Sequence, residues 1–185
     1  LMGRLHDALK ASGYNGPELE RFLVRLLFCL FADDTGIFEP RDILISLLTN
    51  RTKEDGSDTG QWLHSLFEVL NTPPERRQKT LDEDLAQFPY VNGDLFAERL
   101  RTPSFDAGMR KLLIDACDFS WDAISPAIFG SLFQSVMHKE QRRAQGAHYT
   151  TEKNILKVIE PLFLDELREE FARLRARRDT RREKE

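Results

Sequence analysis

A chain of 185 residues with 41% hydrophobic side chains can form one globular domain, or one and part of another, without disulfide or metal staples. Its 27 basic and 31 acidic residues give a formal charge of -4, which excludes a uniformly basic surface and confines any DNA contact to a local patch. Cys29 and Cys117 lie in apolar runs without a CxxC pair, so they read as small buried hydrophobes and support neither a zinc site nor a redox motif.

The opening "LMGRLHDALKAS" lacks the apolar centre of a signal peptide, and the missing initial Met leads us to expect a piece of a longer protein. After the turn "YNGP", Pro17 suits a first helical turn, and Glu18 and Glu20 suit its positive end. From Leu19 to Phe31 nearly every residue is apolar, apart from a strip of Glu18, Arg21 and Arg25 on one face. Such a helix is covered on most sides and should be the centre of the core, with Gly36 in "ADDTGIF" as its C-terminal cap. The longest apolar run, Phe22 to Ala32, contains Arg25 and falls short of the about 20 residues a membrane span needs. We therefore expect a cytoplasmic segment with no membrane partner.

Further helices are expected after Pro40 ("RDILISLL") and from Thr59 ("GQWLHSLFEVL"), separated by the turn-rich loop "TNRTKEDGSDTG". In "FPYVNGDLF" the Asn92-Gly93 pair between apolar residues signals two very short strands or an ordered turn. Helices resume from Phe105, with Met109, Leu112, Leu113, Ala116 and Cys117 as one stripe. "SPAIFGSLFQSVM" has Ser125 as N-cap, Pro126 as first helical residue and a clear three-to-four apolar spacing. A polar connector, "RRAQGAHYTT", follows, and then "EKNILKVIE" and "PLFLDELREEFARL", which Pro161 should kink or separate. The arginine-rich end, with Arg173, Arg177 and Arg181 four apart, reads as a solvated helix face. The fold class is all-α: an irregular helical bundle with at most one short β-hairpin near Asn92-Gly93.

No catalytic constellation emerges. His6, His64, His138 and His148 do not fall at metal-ligand spacing, so no metal site is expected. No Lys follows an Asp or Glu by two positions, so the nuclease pattern that pairs two acids with such a lysine is absent. Asp33 and Asp34, adjacent on a helix, point about 100° apart and read as exposed residues near a helix end. The connector holds the remaining signal. A helix start presents unpaired N–H donors that can seat a carboxylate. Gly146 allows close backbone approach, Tyr149 offers an aromatic face, and Thr150 or Thr151 a hydroxyl at the N-cap. A capped helix after a loop has the same spacing.

With its flanks, "GAHYTTEKNILKVIEPLF" resembles the opening motif of N6-adenine DNA methyltransferases, motif X, with its G-x-x-Y-T-P core. "FSWDAISPAIFGSLFQSVM" and "QRRAQGAHYT" look like the lead-in of MmeI-like restriction–modification enzymes, and "LLFCLFADDTGIF" and "FPYVNGDLF" are similar to that family's helical spacer. The resemblance implies a helical spacer domain at 1–118 and, at 119–185, a helical lead-in to a methyltransferase domain. It implies that Gly146, Tyr149 and Thr150 border S-adenosylmethionine in the complete parent protein, and Thr151 stands where many relatives have proline. The partners implied are DNA, through the parent, and flanking nuclease and methyltransferase domains. The glycine-rich cofactor motif and the [DNS]-P-P-[YFW] motif that holds a flipped adenine are missing, so the fragment alone should bind no cofactor and catalyse nothing. The alternative is a free-standing helical adaptor or DNA-binding module that uses "HKEQRRAQG" and the arginine-rich end.

Overall fold

A computed structural model describes residues 1–91, 93–124, 129–130 and 152–182. The chain divides into two compact units, Leu1–Ala147 and His148–Glu185. Among the described residues all regular structure is helical.

The first unit opens with α1 (Met2–Ala11), which packs against α2 (Pro17–Asp34) and α6 (Ala107–Cys117) through Leu5 and Leu9. Helix α1 ends because Gly13 takes φ 90°. The Tyr14 and Gly13 amides then fold back to the Leu9 and Lys10 carbonyls at 3.0 and 3.1 Å. Helix α2 starts with Pro17 and its acidic first turn, and it ends where Thr35 is followed by Gly36 at φ 76°. Leu19, Phe22, Leu23, Leu26, Leu27 and Leu30 bury it in the main core, as its apolar run led us to expect. Phe22 sits in an aromatic cluster, edge-on to Tyr14 and Phe67 at 5.7 Å in each case.

Helices α3 (Ile43–Arg51) and α4 (Thr59–Leu70) follow, then a 3-10 turn at Pro74–Arg76 and the short α5 (Glu83–Ala86). Arg77 ties this stretch together by donating to the carbonyls of Val69, Thr72 and Phe88 at 3.1, 3.0 and 2.8 Å. The entry to α4 lies backbone against backbone on the entry to α6. A Cβ on Gly60 would stand 1.9 Å from the Pro103 carbonyl oxygen, and one on Gly56 2.3 Å from that of Asp106. Only glycine permits such an approach.

Around Asn92-Gly93 no strand forms among the described residues, and Asn92 itself lies outside them. Gly93 has φ 133°, and residues 94–97 form a turn in which the Ala97 amide donates to the Asp94 carbonyl at 3.3 Å. Two short strands would need their backbone groups for each other. Here the Val91 amide donates to the Leu70 carbonyl at 2.8 Å, and the Leu95 carbonyl accepts from a side chain of α2.

The second unit contains α7 (Glu152–Ile159), a π-helical turn at Glu160–Leu164 and α8 (Asp165–Arg182). Pro161 was expected to kink or separate the helices. At that proline the helical path passes through a wider π turn, a form that accommodates the missing donor. No described helix is long and apolar enough to cross a membrane.

Candidate functional site

The connector residues Gly146, Tyr149 and Thr150 lie outside the described residues, as do Thr151 and the stretch from Ser125 to Ile128. The first described residue after them is Glu152, where α7 begins. The described residues show how the helical core is fastened, and both fastenings are on α2.

At its N-terminal half, the strip of Glu18, Arg21 and Arg25 faces protein. Arg25 is only 3% exposed. Its guanidinium donates through Nε to the Leu95 carbonyl at 2.8 Å and through Nη2 to the Glu98 carbonyl at 2.6 Å. The Phe67 and Phe96 rings lie 5.6 Å from its Cζ. Arg21 donates to the Glu98 carboxylate. Glu18 accepts the Arg101 amide at 3.2 Å and pairs with its guanidinium at 3.4 Å. Tyr14 adds a bond from its hydroxyl to the Arg101 carbonyl at 2.8 Å. Residues 94–101, which have no helix or strand of their own, are thus strapped to α2 by side chains. Burial disfavours the Arg25 charge, opposed by Glu98, and it pushes the Tyr14 phenol up to about 12, with Glu18 adding to the shift.

At the other end, Asp33 is buried, against the expectation of an exposed carboxylate; its residue is 6% exposed. The reason is non-local. Helix α3 is preceded by Asp42, whose backbone is left-handed (φ 64°) and whose side chain does not cap the helix start. Asp33 takes that role from α2, accepting the Leu44 amide on both carboxylate oxygens at 3.2 Å. Burial pushes its carboxyl up to about 6, opposed by these backbone bonds and reinforced by Asp42. Asp34, partly exposed, accepts the Asp122 amide at 2.8 Å. One turn earlier, Phe31 stacks on Phe129 with centroids 4.0 Å apart.

These contacts fasten later segments of the chain to α2. The cleft bordered by Phe22, Arg25, His64, Phe67, Glu98 and Arg101 holds about 10 Å³, room for one water, and does not fit S-adenosylmethionine. Burial pushes the thiols of Cys29 and Cys117 up, away from the reactive thiolate. Among the described residues no three His, Cys, Asp or Glu side chains come together as metal ligands. Sequence reasoning named Arg25 and Asp33 but missed that both are buried, and it missed the Asp34–Asp122 bond. A lone arginine inside an apolar helix was the one available signal.

Comparison with known proteins agrees with this architecture. Residues 17–96 match the family model for the MmeI helicase spacer domain. DNA methyltransferase A of Bacillus subtilis (strain 168) is 44% identical over 172 residues, covering 91% of this chain and 19% of that protein. A solved structure of the type IIL restriction-modification enzyme MmeI in complex with DNA is 57% identical, with a TM-score of 0.69 over 94% of this chain and 23% of its own. The chain therefore spans about a fifth of the length of these relatives. Residues 17–96 thus carry the MmeI helicase spacer domain, and nearly the whole chain is similar to the corresponding fifth of MmeI-like restriction–modification enzymes.

Proposed function

We propose that this chain is the non-catalytic helical spacer, with the lead-in that follows it, of a bifunctional restriction endonuclease and adenine-specific DNA methyltransferase. Residues 1–118 form the spacer and residues 119–185 the lead-in. The observation that carries the reading is the spacer match over residues 17–96, within a bundle whose buried cation and buried carboxylate bind its own backbone. A packed helical core keeps two neighbouring domains at a set separation better than a loop does, because its interior is close-packed and stiff. Its role is to set the distance between the site that is recognised and the site that is cut.

At the far end, Gly146, Tyr149 and Thr150 form the near edge of an S-adenosylmethionine site that is completed by chain from the methyltransferase domain. DNA is a partner of the whole protein, in line with the similarity to MmeI in complex with DNA. Titration calorimetry of this chain with S-adenosylmethionine should give no binding heat at micromolar ligand. Micromolar affinity would show a complete cofactor site and overturn the reading. The free-standing DNA-binding alternative is separated by titration with duplex DNA at two salt concentrations. A strong, steeply salt-dependent affinity would favour it, since each phosphate contact releases counterions.

A further inference from the structure

A spacer sets a distance only if the chain leaves it at a fixed point and in a fixed direction. In this molecule the segment that follows α6 is held on the last turn of α2. Phe31 and Asp34 are three residues apart on that helix and so share a face. Asp34 holds the Asp122 amide at 2.8 Å, and Phe31 stacks on the Phe129 ring with an interplanar angle of 22°. Asp33, adjacent in sequence and about 100° around the helix, holds the start of α3. One turn thus anchors α3 on one side and the departing chain on the other. Between them, Trp121 is buried and donates its indole N–H to the Ala116 carbonyl at 2.8 Å, which pins the segment to the end of α6.

We propose that the last turn of α2 is a latch, in which Asp34 and Phe31 are positioning residues that fix where and in what direction the chain leaves the helical core. Both stand at the margin of the core: Asp34 and Phe31 are each partly exposed, whereas Leu26 and Leu30 of the same helix are fully enclosed. Loss of the latch therefore redirects the exit without dissolving the bundle. The spacer reading supplies the purpose of the latch, whereas the latch itself rests on these contacts.

The test uses the full 185-residue chain. Spin labels are placed through Glu54→Cys and Gly130→Cys, with the unsubstituted chain as control for the buried native thiols, and the label-to-label distance distribution is measured. The chain with intact Asp34 and Phe31 should give one narrow distance, and Asp34→Ala with Phe31→Leu a broad or shifted one at unchanged helix content. Asp34→Asn retains a carbonyl acceptor and should keep the narrow distance. In Asp34→Ala alone, hydrogen exchange at the Asp122 amide should quicken about tenfold, as expected for loss of one net hydrogen bond. An unchanged distribution in the double variant, or unchanged exchange at Asp122, overturns the latch and leaves the spacer reading intact. Cofactor binding by the isolated chain overturns the spacer reading and leaves these distances as they are.

Discussion

Asp33 shows how one buried group sets a pH response. Its carboxyl ordinarily titrates near 3.8 and in the folded chain near 6, so between these values the folded state holds more protons than the unfolded one. Stability from this residue is therefore greatest below pH 4 and is lost as pH rises through about 6, by about 3 kcal/mol in all. Urea midpoints taken from pH 4 to 7 should show this component in the native chain and not in Asp33→Asn, which keeps an oxygen for the Leu44 amide. Equal slopes for the two chains would refute the assignment. Glycines give a second comparison at this scale. Gly60→Ala drives a Cβ into the Pro103 carbonyl and should cost about 3 kcal/mol, because backbone has to move. Gly3→Ala meets nothing within 4 Å on α1 and should stabilise by about 0.5 kcal/mol. Thermal melts of both variants decide the pair, and equal effects would mean that the close approach is absent.

Helix α2 works through faces that its sequence pattern only half reveals. Its apolar run, proline start and glycine stop were legible, because helix periodicity and capping are local properties. The same holds for α3, α4 and the Met109–Cys117 stripe of α6. The strip of Glu18, Arg21 and Arg25 was legible as polar but not as covered, since the cover comes from residues some 70 positions later, as in the bond from Arg25 to Leu95. Asp33 failed for the same reason, its partner being the start of another helix. The connector at Gly146, Tyr149 and Thr150 was read from motif and spacing alone. Arg25→Ala should cost about 3 kcal/mol, because breaking a buried charged contact strands its partners. It should also release the strap, so that trypsin cuts after Arg99 and Arg101 faster than in the native chain. Arg25→Lys keeps the charge but not the forked geometry and should rescue only part of the protection. Native-like resistance in Arg25→Ala would mean that the strap is held otherwise.

At the scale of the molecule, the stretch that matches the family's spacer model is smaller than the unit that packs. Residues 17–96 omit α1, whose Leu5 and Leu9 are fully enclosed, and α6, whose Leu113 and Ala116 are as well. They also omit Glu98 and Arg101, which complete the strap. A polypeptide of residues 17–96 should therefore melt without a cooperative transition by circular dichroism, and one of residues 1–124 should melt cooperatively. A sharp transition in the shorter piece would show that α1 and α6 are accessories. The long reach of the strap also bears on how the protein is made. Arg25 meets its acceptors at Leu95 and Glu98 across 70 and 73 positions, so a growing chain on the ribosome carries Arg25 without them until those later residues have been joined and have cleared the exit tunnel. Until then the first helices can gather but cannot close, and a pause in translation just before Leu95 would prolong the interval in which a cation sits in an unfinished greasy interior, open to chaperones and to neighbouring nascent chains.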